Sequence, residues 1–137
     1  MSRPKSKTAA NLMEQMQGEA SWLLSHAQAL ADYGRDQEAA AEWGRAATCA
    51  EQVACLLETQ GEEREAAIQR VSAASCHEKL GQHAQAVTLL HAALSSVLPD
   101  DYRARVEQQL VHCLAQAQRG LRLASTRRAR KPSSVAP

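Results

Sequence analysis

The chain has 137 residues and a formal net charge of +1, enough for one domain with a single core. It carries 27 alanines, no phenylalanine and 3% aromatics beside 45% hydrophobic residues; strands favour β-branched and aromatic side chains, whereas Ala, Leu, Gln, Glu and Arg build helices. This composition excludes a β protein. No run reaches the ~20 apolar residues of a membrane span, and the basic residues 1–7 have no apolar segment behind them, so no secretory signal is expected and the chain reads as all-α and cytoplasmic.

Five helices are predicted. The first covers residues 8–33, with Thr8 as its N-cap and Leu12, Met16, Leu23, Ala27 and Leu30 at helical spacing. Gly18 is a point where its first two turns can separate, and Gly34 ends it. The second runs from Asp36, read as a capping residue, through Trp43, Cys49, Val53 and Leu56 to Thr59, and Gly61 closes it. The third opens on Glu62 and Glu63, favourably placed at a positive helix terminus, and carries Ala66, Ile68, Val71, Ala74 and Cys76 to Leu80. Gly81 ends it.

The fourth covers residues 83–97, with Val87, Leu90, Ala93 and Leu94 inward. Pro99 punctuates the chain, and Asp100 and Asp101 open the fifth, which carries Val106, Leu110, Val111, Leu114 and Ala117 and frays beyond Gly120. The domain plan is a basic, unstructured N-terminus over residues 1–7, a helical domain over 8–119 and a basic, unstructured tail over 120–137. Charge is segregated accordingly: +3 in residues 1–7, +6 in 119–137, and −8 between them from seven basic and fifteen acidic residues. Cys49, Cys55, Cys76 and Cys113 lie within helical patterns and read as free thiols that pack as small hydrophobes.

One pattern occurs twice. Gly34, Ala39, Trp43 and Ala46 are matched 47 residues later by Gly81, Ala86, Leu90 and Ala93, at offsets of five, nine and twelve. The glycine suits a left-handed helix stop, and the next three positions share one stripe of the following helix. Small residues let backbones approach while the large one fills the groove. The pattern predicts a repeated antiparallel helical hairpin.

These residues resemble the tetratricopeptide repeat over about residues 20–100. Ala27 and Ala74 fall on the small positions of that family's first helices, and Pro99 on its closing proline. The spacing departs from the family's roughly 34 residues, and His77 and Leu90 stand where aromatics are common. The resemblance therefore implies a divergent, long-helix pair of hairpins, as a short solenoid or bundle; a plain bundle with alanine periodicity is the alternative.

The family binds proteins in a groove lined by the first helix of each hairpin. The resemblance places Ser21, Leu24, Gln28 and Ala31 there from the first helix, and Ile68, Val71, Ser75 and Glu78 from the third. It lacks the lysines and asparagines of a carboxylate clamp, so the implied ligand is an amphipathic helix or an extended apolar peptide. Leu24, Ile68 and Val71 read equally well as core.

No cofactor and no metal are expected. Cys76 with His77, and His112 with Cys113, are sequence neighbours that point about 100° apart on a helix, and no zinc-type spacing is present. Catalysis is not expected either: there is no glycine-rich phosphate loop, and Glu38, Glu42, Glu62, Glu63 and Glu65 read as solvated helix faces. Arg127, Arg128, Arg130 and Lys131 can meet nucleic-acid phosphates, an anionic membrane or an acidic protein surface, fold back on the acidic body, or simply solubilise the chain. The expected function is non-enzymatic protein binding, as an adaptor, an assembly or secretion chaperone or a regulatory subunit. The alternatives are a nucleic-acid- or anionic-surface-associated protein and a self-assembling structural component. Two hairpins leave apolar edges uncovered, which predicts a homo-oligomer or an obligate partner. The fifth helix either seals the core or occupies a partner's place.

Overall fold

Five α-helices and no strand make up residues 7–130, which the computed structural model describes: α1 (Lys7–Asp32), α2 (Asp36–Thr59), α3 (Glu63–Lys79), α4 (His83–Leu94) and α5 (Asp100–Arg130). Each packs chiefly on its neighbours in the chain, α1 on α2, α2 on α3, α3 on α4 and α4 on α5. The all-α architecture is thus a consecutive stack.

The turns between the first four helices are three copies of one structure. Gly34, Gly61 and Gly81 have φ of +78°, +77° and +74°, a conformation that any Cβ would strain. Each glycine N–H donates to the carbonyl three residues back, Ala31, Glu58 or Glu78, at 3.0 Å. The following N–H reaches five back, to Leu30, Leu57 or His77, at 2.8–2.9 Å. These are Schellman motifs, which satisfy the last carbonyls of a helix. The residue after each glycine, Arg35, Glu62 or Gln82, already accepts the first bond of the next helix, from Ala39, Ala66 or Ala86.

The third copy was not singled out in the sequence pattern. Gly61, Ala66, Arg70 and Ala73 repeat the offsets of five, nine and twelve. The alanines at the fifth and twelfth positions of all three copies are buried, and Trp43 and Leu90 are buried at the ninth. Arg70 occupies the ninth position of the middle copy and pairs with Glu58 of α2 instead. The repeating unit is therefore the single helix and its turn, not only the hairpin.

Thirteen of the 25 buried apolar residues among those described are alanine, so helices approach closely and few large side chains fill the seams. One cluster joins α1 to α2 through Leu23, Ala27, Leu30 and Trp43 and reaches α3 at Cys76. A second, around Val53, Ala54, Leu57 and Ala66, holds α2 to α3, with Met13 and Met16 of α1 against it. The third binds α3, α4 and α5 through Val71, Leu90, Leu98, Val106, Leu110 and Cys113.

Several details differ from the sequence reading. Thr8 lies inside α1, which begins at Lys7 and runs unbroken through Gly18. Arg35 rather than Asp36 is the N-cap of α2, without a side-chain bond, because the residue that closes the Schellman motif also opens the next helix. α4 stops at Leu94, three residues short of the expected end. α5 passes through Gly120 to Arg130, so eleven residues assigned to the tail are helical. Residues 1–6 of the basic N-terminus and 131–137 of the tail lie outside the described residues.

Candidate functional site

The groove residues inferred from the resemblance divide into two sets. On α1, Ser21 and Gln28 are exposed, and Leu24 and Ala31 are half-buried against the α1–α2 cluster. Gln28 Nε2 donates to Asp32 Oδ1 on the same helix at 2.9 Å. On α3 the positions are already occupied. Val71 is 8% exposed in the core, with Ile68 packed against that cluster. Gln109 Nε2 of α5 donates to Ser75 Oγ at 3.0 Å and to Glu78 Oε1 at 3.3 Å. Cys113 Sγ lies 3.1 Å from the same carboxylate oxygen and donates to it. So α5 covers the α3 half of the expected groove, as a partner helix would.

An open apolar site lies elsewhere. A cleft of about 660 Å³ runs between the N-terminal half of α1 and the C-terminal half of α2. Leu12, Met16 and Leu56 supply its apolar walls, Cys55 sits within it, and Glu51 and Gln52 bring polarity to its α2 side. Leu12 is 49% exposed, a large cost for a leucine left in water. Leu12, Met16 and Leu56 recur at helical spacing in the sequence, yet Leu12 is exposed and Met16 and Leu56 are half-buried, so the stripe they mark borders an open cleft rather than the core.

The thiols differ in exposure. Burial pushes Cys76 up to about 11. Burial first, then the hydrogen bond to Glu78 and its charge, push Cys113 up to about 12. Cys49 is raised by burial and by the charge of the Glu19 carboxylate of α1. Cys55 is the exposed thiol of the four. Since thiolate is the nucleophile, exposure makes Cys55 the natural chemical probe of the cleft.

The histidines are dispersed. His77 Nδ1 lies 2.7 Å from Gln82 Oε1, and its Nε2 lies 3.3 Å from Glu51 Oε2, tying α3 to α2. His26 of α1 faces Glu42 of α2 at 3.4 Å and stacks under the exposed Trp22 ring, with centroids 4.7 Å apart. Among the described residues no three His, Cys, Asp or Glu side chains are placed to hold a metal ion. None of the described helices is long and apolar enough to cross a membrane.

The basic end projects. At about 1.5 Å per residue, α5 is roughly 46 Å long and α4 roughly 18 Å, so α5 overruns the helix it packs on. Arg119, Arg122 and Arg127 are exposed on this extension. Arg128 and Arg130 belong to its last turn, and Lys131 lies outside the described residues.

Comparison of the chain with protein-family models, with curated proteins and with solved structures finds no match.

Proposed function

We propose that this protein is a non-enzymatic protein-interaction module, and that its site is the cleft between α1 and α2, which receives an amphipathic helix of a partner. The observation that carries this reading is the open apolar trough lined by Leu12, Met16 and Leu56. A helix laid in such a groove buries its apolar stripe and keeps its polar face in water. The resemblance to tetratricopeptide repeats agrees with a peptide-binding role, as adaptor, chaperone or regulatory subunit. The occupied α3 groove moves the proposed site from the concave face to this cleft.

Selection of displayed amphipathic helical peptides against the wild-type chain, with counter-selection against a Leu12→Lys, Thr48→Lys variant, tests the site. Both residues line the cleft and are exposed, so the variant should fold. Selected peptides should slow alkylation of Cys55 in the wild type. Peptides that bind both proteins equally and leave Cys55 unprotected would remove the cleft from consideration.

A second reading rests on the projecting arginines of α5, which suit phosphates or another anionic surface. Such binding would survive the cleft substitutions and fall steeply with salt.

A further inference from the structure

We infer that the helix received by the α1–α2 cleft is the projecting end of α5 from a second copy of this chain, so that copies join head to tail. This rests on the cleft reading above and names its occupant.

The first argument is the stripe on α5. Val106, Leu110 and Cys113 are its core positions. Steps of four, four and three residues continue the same face to Ala117, Leu121 and Ala124. The first three are buried, Ala117 is half-buried and Ala124 is exposed. Leu121 is 72% exposed, at the open rim of a hollow that Ala117, Gly120 and Leu121 form with residues 81–85 at the start of α4. Beyond that hollow the face that docks α5 in its own chain runs on to the exposed Ala124, flanked by arginines.

The second argument is charge. Residues 8–19 and 48–59, the segments that border the cleft, hold four carboxylates and no basic residue, a net −4, of which Glu58 is paired with Arg70 of α3. Residues 108–130 of α5 hold five arginines and no acid, a net +5. Glu51 stands in the cleft wall, its Oε2 3.3 Å from His77 Nε2 of α3. An apolar stripe with arginine flanks therefore meets an apolar trough whose lining holds one acid, Glu51, and no basic residue. Complementary fields of this kind set orientation and partner choice.

The third argument is topology. α1 opens a consecutive stack and α5 closes it, so the two surfaces lie at opposite ends of the chain of contacts. A projecting end that fits the far end of another copy is a heterologous contact. It propagates into a ring or an open filament rather than closing a two-fold dimer.

Sedimentation velocity of the full chain under reducing conditions tests this with two variants. The cleft variant is Leu12→Lys, Thr48→Lys; the end variant is Leu121→Glu, Arg122→Glu, again at exposed positions. Circular dichroism checks that each keeps its helix content. The wild type should grow beyond a dimer as concentration rises and should dissociate as salt screens the charges. Each variant alone should be monomeric, since each lacks one half of the contact. An equimolar mixture should form a heterodimer that grows no further, because one end and one cleft remain intact. In that mixture Cys55 of the end variant should become protected from alkylation.

A wild type that stays monomeric, a closed dimer insensitive to both variants, or a mixture that stays monomeric would each overturn the head-to-tail contact. A monomeric wild type whose Cys55 is still protected by selected peptides would retain the cleft as a site for other proteins. Loss of both results would remove the cleft reading as well. A wild type that assembles on nucleic acid alone, together with an end variant that does not, would transfer α5 to the phosphate-binding reading.

Discussion

The joints between helices are of two kinds. Three are made by a glycine in the left-handed region and two backbone hydrogen bonds, and at the third the His77 and Gln82 side chains also meet, at 2.7 Å. The fourth, residues 95–99 between α4 and α5, has no such glycine. There the Arg103 guanidinium of α5 reaches back and donates to the carbonyls of Leu94 and Ser96, at 3.1 and 2.9 Å. Leu98 is buried beneath it, 5% exposed, and the Arg103 N–H bonds to the Pro99 carbonyl at 2.8 Å. Both devices answer the same need, the orphan carbonyls at a helix end. The glycine joint is written in the backbone and can be repeated along a chain. The arginine joint is specific to one pair of helices, and it sets α5 across the α3 positions where a further ligand was expected.

The largest expected effect comes from the seam where the two kinds of joint meet. Leu90 is fully buried in the cluster shared by α3, α4 and α5. Leu90→Ala should cost about 2–5 kcal/mol. Urea denaturation followed by far-ultraviolet circular dichroism measures it. If α5 is held by the same core as α3 and α4, hydrogen exchange should rise in all three helices together. Exchange confined to α5 would mean that the arginine joint is a separate, weaker unit.

Next comes the arginine joint. Arg103→Ala leaves two carbonyls at the end of α4 without their donor. Bonds to a charged donor are worth about 1.5–3 kcal/mol, so a loss in that range is expected in chemical denaturation. Arg103→Lys should recover only part of it, since one ammonium lacks the planar fork. Equal stability of the alanine variant and the wild type would mean that water replaces the guanidinium, and that burial of Leu98 alone holds the joint.

The two joints also explain what the sequence made legible. Glycines at 34, 61 and 81 mark turns because left-handed backbone excludes other residues there, and the starts of α2, α4 and α5 follow from them and from Pro99. The middle copy of the pattern was hidden because Arg70 stands where Trp43 and Leu90 stand in the others; a charge at the ninth position masks the stripe although Ala66 and Ala73 keep it. Gly120 reads as a stop in one dimension, yet a Cβ there would meet nothing, and the helix simply continues. The groove was legible as a set of apolar helix faces, but its occupancy was not. Gln109 and Cys113 find Ser75 and Glu78 across 31 to 35 residues of chain, a contact no local spacing encodes. The cleft escaped for the complementary reason: Leu12 and Leu56 carry the same signal as a buried stripe, and spacing along one helix does not say which apolar positions a neighbouring helix covers.

The smallest effects come from the glycines, and their opposite signs make the sharpest test of the glycine joint. Gly81 has φ +74° with open space around the missing Cβ, so Gly81→Ala meets no clash. The whole penalty must come from holding alanine in the left-handed region, about 1–2 kcal/mol. Gly44 also has open space, but it sits inside α2 with an ordinary helical backbone. Gly44→Ala should therefore stabilise by up to about 1 kcal/mol, because alanine forfeits less chain entropy in a helix. The two substitutions add the same methyl group in the same empty surroundings and differ only in φ. A melting temperature that falls for Gly81→Ala and rises for Gly44→Ala isolates the backbone as the agent of the turn. A fall for both would mean that the joints depend on packing around α2 and α4 rather than on the glycine conformation, and the repeated unit would then be the core stripe alone.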